Sequence, residues 1–238
     1  MSITQNIQTV RERIAVAAHS AGRAPEAVTL MLAAKHQPLD NLLEAAHAGA
    51  TTFGHNLVQQ LQSSTRGLLE AGLTTTNTVI GPVQSNKLRA AMDSADRIDT
   101  VDSVKTATRI ARRQEARIAD GLATGPYPVL IQVNSSGADT QNGCAPGGLL
   151  ELAGQIMDLG LVRIDGLMTI GANTSDESQI RKSFALTRAL GQEMREYLDL
   201  PGATELSMGM TGDLAIAVEE GSTIVRVGTA VFGARPGR

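Results

Sequence analysis

With 238 residues, 42% of them hydrophobic and 19% charged, the chain is long enough to bury a full core as one domain or two small ones. A formal charge of −3 without a long Lys/Arg block argues against a nucleic-acid surface, and no apolar stretch approaches the ~20 residues of a membrane helix. Cys144 is the one cysteine and there are four scattered histidines, which rules out an internal disulfide framework and argues against a metal site.

The first residues are polar and amphipathic, unlike a signal or transit peptide, so a cytoplasmic protein is expected. Ile3, Ile7, Val10, Ile14 and Ala17/Ala18 recur at helical spacing and predict an opening helix that Gly22 and Pro25 stop. Residues 28–34 read as strand one, with an unbroken apolar run from Leu30 to Ala34, as suits a strand covered on both faces. Helix 39–48, strand 51–53, helix 56–70, strand 77–80 and helix 85–92 follow. Next come a short strand at 97–99, helix 103–118, strand 129–133, helix 148–159, strand 162–168 and helix 176–198. A short strand at 205–206, helix 212–219 and strand 223–227 complete eight βα-type units.

Eight alternations at this length, with no polar linker or Pro/Gly-rich seam, predict an α/β fold built as a single (β/α)8 TIM barrel with an additional N-terminal helix. Residues 1–238 then form one domain. An open dinucleotide-binding sheet would need Gly-x-Gly-x-x-Gly after strand one, and residues 34–38 contain no glycine.

Lys35 closes the first apolar run, and Pro38 follows soon after, so a primary amine sits at the carboxyl end of strand one. Two glycine-rich segments, 206–213 and 225–230, fall after strands seven and eight, where barrels commonly hold a phosphate. Gly209 and Gly212 allow close backbone approach, Ser207 and Thr229 offer hydroxyls, and N–H groups near Gly228 and Thr229 would point at a dianion. Either segment alone reads equally well as turn residues closing the barrel. With an amine on the same rim, they point to pyridoxal 5′-phosphate.

Taken alone, Lys35 is more simply a solvated charge. Ala33 and Ala34 leave room for a ring beside it, however, as a Schiff-base lysine needs. Arg226 lies within reach of that ring. A guanidinium only donates hydrogen bonds, so opposite a pyridine nitrogen it would keep that nitrogen unprotonated and the ring a poor electron sink. A salt bridge to Asp213 or Glu205 is the competing reading.

These segments resemble the pyridoxal-phosphate homeostasis proteins, the alanine-racemase-N-terminal-like family, nearly end to end. The resemblance rests on Ala33-Ala34-Lys35 with Pro38, Phe53-Gly54 with Asn56, Gln84-Ser85-Asn86-Lys87, Gly143-Cys144-Ala145-Pro146, Gly166-Leu167-Met168 and the two glycine-rich segments. It implies a barrel like the N-terminal half of bacterial alanine racemase, with Lys35 as the Schiff-base lysine. Ser207, Gly228 and Thr229 would hold the phosphate, Arg226 would face the pyridine nitrogen, and Asn56, Met208 and Gly209 would complete the cofactor-binding set. The resemblance further implies a monomer that binds, buffers and hands on pyridoxal phosphate, with apo forms of pyridoxal-phosphate enzymes as recipients and no catalytic residue.

An amino-acid racemase is the alternative reading, and it needs an acid–base group on each face of the ring. Lys35 is one. Tyr127 precedes strand five, at the opposite end of the barrel, and Tyr197 lies late in a helix, so Cys144 is the remaining candidate for the second. A barrel enzyme using Lys35 on a phosphorylated sugar without a cofactor is the third reading. The chain departs from the family pattern at His55, Leu57, Gln60 and Pro82, where a carboxylate, a phenol, a second carboxylate and an imidazole are usual. His55 is a candidate to replace the imidazole missing at Pro82.

Overall fold

The computed structural model describes residues 2–233, so Met1 and residues 234–238 at the two ends of the expected domain lie outside it. Helix α1 (Ile3–Ser20) starts at a capping box: the Ser2 hydroxyl accepts from the Gln5 N–H, and the Gln5 side chain accepts from the Ser2 N–H. Its buried stripe is Ile7, Val10, Ile14, Ala17 and Ala18; of the set that the helical spacing predicts, Ile3 in the first turn is only half-buried.

The alternation then runs β1 (Thr29–Ala33), α2 (Leu39–His47), β2 (Thr52–His55), α3 (Val58–Glu70), β3 (Thr76–Val79), α4 (Leu88–Ser94), β4 (Arg97–Val101) and α5 (Val104–Ala119). It continues as β5 (Tyr127–Gln132), α6 (Leu149–Met157), β6 (Val162–Met168), α7 (Glu177–Tyr197), β7 (Glu205–Ser207), α8 (Leu214–Glu219), β8 (Ile224–Val227) and α9 (Thr229–Phe232). All eight strands pair in parallel with their sequence neighbours, and β1 pairs with β8, so the sheet closes into the expected barrel. Apolar side chains fill the layer between barrel and helices in two clusters. One lies under α3 to α7, the other where α1, α2, α8 and α9 cover β1, β2 and β8. No helix among the described residues is long and apolar enough to cross a membrane.

Several boundaries differ from the sequence reading. β1 ends at Ala33, one residue earlier than expected; Lys35 sits in the rim turn just beyond its carboxyl end, and His36 beside it takes a φ of 61°. Asn56 lies in the loop before α3, not in the helix. Tyr127 opens β5 instead of preceding it, and its hydroxyl donates to the Ala95 carbonyl at 2.9 Å, at the end of the barrel away from Lys35. The expected helix at 85 starts as one 3-10 turn, Ser85–Lys87, and α9 has no counterpart among the elements the sequence predicts.

The lumen is polar at its amino-terminal end. Arg97 on β4 donates to Asp99 at 2.6 Å and to Glu205 on β7 at 2.9 Å. Because β4 and β7 are not neighbours, the second bond crosses the barrel interior. Asp99 is fully buried, so its charge depends on that guanidinium. Gly166, with a φ of 151°, sits where β6 slips register against β5, and any Cβ there would overlap the Glu205 carbonyl.

Candidate functional site

A cavity of about 390 Å³ opens at the carboxyl end of the barrel, the face that receives the loops after each strand. Lys35, Asn56, Arg226, Gly228 and Thr229 line it, five residues that the sequence nominates from three separate segments. Ala33, Gln37, Ile80, Met168, Ile170, Met210 and Thr211 supply more of the wall.

Lys35 is held by an unforeseen residue. Gln60, on the first turn of α3, donates from Nε2 to the carbonyls of Ala34 at 2.6 Å and Gln37 at 2.9 Å. Its Oε1 accepts from the His36 N–H at 2.9 Å. One amide therefore satisfies three backbone groups of the turn on either side of the half-buried lysine. The carboxylate that the family usually places there has no proton with which to make the two donations.

Arg226 projects inward from β8 and is buried. It donates from Nη1 to the Ser207 hydroxyl at 2.8 Å and from Nη2 to the Thr169 carbonyl at 2.7 Å. Both acceptors are neutral. Among the described residues no carboxylate lies within ion-pair distance of it: Glu205 is taken by Arg97, and Asp213 accepts from the Met210 N–H at 2.5 Å. The competing salt bridge to Asp213 or Glu205 is thus not formed. Burial pulls the Arg226 pKa down, while the charges of Asp99 and Asp213 partly oppose this. The result is a buried cation whose direct partners are uncharged, open on one side to the cavity.

The glycine-rich segments divide between wall and support. Gly228 caps α9, and a Cβ on it would come within 3.3 Å of the Ala33 carbonyl. Thr229 and Ala230 open that turn, so their N–H groups have no intrahelical acceptor. Ser207, by contrast, is fully buried behind Arg226 and does not reach the cavity. Met208 packs into the outer core. Gly209 has a φ of 91°, and a Cβ there would overlap that of Ala217 on α8, so its small size serves helix packing. The Gly209 carbonyl accepts from the Arg226 N–H at 2.9 Å. Met210, Thr211 and Gly212, next along the chain, form the wall in their place.

His55 cannot replace the missing imidazole. A Cβ on Gly54 would meet Met31 and Ile80, and Met31 lies level with the inward-pointing Arg226, so Gly54 faces the lumen. Strand alternation turns His55 the other way, into the helical layer, where Nε2 lies 3.0 Å from Asn77 Oδ1. Cys144 follows β5, as expected, but does not line the cavity, and burial pushes its thiol up to about 11. Tyr197 is exposed on α7. Lys35 and Arg226 are the titratable side chains on the cavity wall among the described residues.

The sequence model for the N-terminal domain of alanine racemase matches residues 2–236. A pyridoxal phosphate homeostasis protein from Vibrio alginolyticus is 39% identical over 239 residues, covering 98% of each chain. A crystal structure of an unknown protein from Bifidobacterium adolescentis superposes with a TM-score of 0.88 at 36% identity, covering 97% of this chain and 94% of that one. PipY of Synechococcus elongatus, solved with pyridoxal phosphate bound, gives a TM-score of 0.83 at 30% identity, covering 98% of this chain and all of that one.

Proposed function

Because the chain belongs to the alanine racemase N-terminal-domain family and, within it, to the pyridoxal phosphate homeostasis proteins, we propose that it binds pyridoxal 5′-phosphate in the rim cavity and serves vitamin B6 homeostasis. Lys35 holds the aldehyde as a Schiff base. Thr229 and the N–H groups at the start of α9 hold the phosphate, with Gly228 giving the backbone room. Arg226 faces the pyridine nitrogen, and Asn56 flanks the ring. Ser207 and Gly209 act from behind, through the bonds that fix Arg226, and Met208 packs beneath them.

One observation carries this reading: an amine and a buried guanidinium that has no carboxylate partner among the described residues share one cavity of about 390 Å³, a volume in the range of small-ligand pockets. The bound group supplies an aldehyde and a pyridine ring. The chain's own residues orient both and, through a donor-only guanidinium, withhold a proton from the ring nitrogen.

The protein holds the cofactor without strong turnover. Racemisation needs a second acid–base group, and the cavity wall offers Lys35 and Arg226, of which the latter stays protonated. Residues 1–238 act as one cofactor-binding domain, working as a cytoplasmic monomer that passes pyridoxal phosphate to apo forms of enzymes that use it.

The test is a spectrum of protein purified with and without added pyridoxal phosphate, followed by borohydride reduction and peptide mapping. A band near ~420 nm and a label on Lys35 alone are expected, both lost in Lys35→Ala. A label elsewhere, or no band, overturns the assignment. In deuterated water the holoprotein exchanges the α-hydrogen of alanine no faster than over many minutes; rapid exchange would make it a racemase.

A further inference from the structure

The rim cavity does not end at the proposed cofactor pocket. A second cleft of about 820 Å³ adjoins it, and Ile170, Met210 and Gly212 are walls of both. It lies among the loops that follow β5, β6 and β7, on the same face of the barrel. Those loops are cross-braced: Gln141 Nε2 donates to the Gly171 carbonyl at 2.8 Å, and the Ser135 and Thr169 hydroxyls are 2.9 Å apart. The cleft is therefore built into the fold.

Its chemistry is selective. Hydroxyls and amides, among them Ser136, Thr140, Gln141 and Asn173, make up the polar wall. Glu177 and Asp213 are its charged residues, and no Lys, Arg or His lines it among the described residues. Asp213 lines the cleft and is anchored through Oδ1 to the Met210 N–H. A free amino acid brings an α-carboxylate, which calls for a cationic partner. Here that carboxylate would meet two acids. An ammonium on an alkyl stem, flanked by neutral amides, matches the wall instead. Among the amines of the proposed recipients, the apo forms of pyridoxal-phosphate enzymes, a lysine side chain within the polypeptide has that character.

We propose that this second cleft admits a lysine side chain of a recipient polypeptide and guides its amine to the cofactor held on Lys35. This rests on the cofactor reading above and adds the partner's chemistry. In the exchange, the carbon–nitrogen bond to Lys35 breaks as one to the incoming nitrogen forms. The incoming ammonium gives up two protons, and the Lys35 nitrogen gains two, so no outside reagent is consumed.

The experiment mixes the pyridoxal-phosphate-loaded protein with Nα-acetyl-lysine amide or with alanine, at equal concentration and fixed pH. It follows the visible band and, after borohydride, the transfer of the label from protein to small molecule by mass spectrometry. The lysine amide strips the cofactor about tenfold faster than alanine, the ratio that one favourable against one unfavourable surface charge interaction provides. Glu177→Lys, at an exposed helix start, leaves the resting band unchanged, slows the lysine amide and speeds alanine. Asp213→Asn, which keeps the acceptor for Met210, reduces the preference several-fold. If it fails to fold, Glu177→Lys decides alone. Equal rates, faster alanine, or no response to Glu177→Lys overturn the cleft assignment while the band itself upholds the cofactor reading. Absence of the band overturns both.

Discussion

Gln60 Nε2 lies 2.6 Å from the carbonyl oxygen of Ala34, so α3 grips the residue that immediately precedes Lys35. The grip requires an amide, since the same side chain gives protons to two carbonyls and takes one from His36. Gln60→Glu keeps the size and removes both donations, placing a negative charge against two carbonyl oxygens. The variant loses about 1–3 kcal/mol of stability in urea unfolding and labels more slowly at Lys35 with pyridoxal phosphate and borohydride. A variant with wild-type labelling would show that the turn is held by other contacts.

Arg226→Lys tests whether the guanidinium is needed for its shape or only for its charge. A single ammonium cannot span Ser207 Oγ and the Thr169 carbonyl as the planar fork does, so one buried acceptor is left unpaired. The variant is destabilised by about 1–3 kcal/mol and, in a pyridoxal phosphate titration, binds at least several-fold more weakly. Retention of full affinity would mean that positive charge suffices at this position.

Gly209→Ala and Gly212→Ala separate packing from site. The first forces a side chain onto a φ of 91° and into Ala217; the second has open space around its Cβ and an unremarkable φ. Thermal unfolding should show Gly209→Ala destabilised by roughly 1–3 kcal/mol, with Gly212→Ala within about 1 kcal/mol of wild type. Equal losses would refute the division of this segment into support and wall.

That division shows how far the sequence can be read. The barrel is legible because its strands, facing the outer core, leave apolar runs between amphipathic helices, as in 30–34 and 129–131. β2, β4 and β7 are harder to see, because the inward positions Gly54, Arg97, Asp99, Glu205 and Ser207 break those runs with residues suited to the lumen. Lys35, Asn56, Arg226, Gly228 and Thr229 are legible as a group because strand ends converge on one rim. The tie between Gly209 and Ala217 is not, since it depends on how α8 packs back on its own preceding loop. The direction of His55 hinges on a single residue of strand parity, and Gln60 gains its role from a turn more than twenty residues away, at Ala34.

His55 makes stability pH-dependent. Burial lowers its pKa below the ordinary value of 6.5, only partly offset by the bond to Asn77, and Nδ1 has no partner among the described residues. The folded state therefore resists a proton that the unfolded chain accepts. The sign follows: this contribution is fully present above the unfolded-state pKa and is lost as pH falls from there toward the lowered folded value. Wild-type stability, measured by urea unfolding between pH 8 and pH 5, should decline on the acid side in a range where carboxylates are still largely ionised. His55→Gln, which keeps a side-chain donor for Asn77 and cannot titrate, should flatten that decline even if it lowers stability overall. An unchanged slope in the variant would place the pH sensitivity elsewhere.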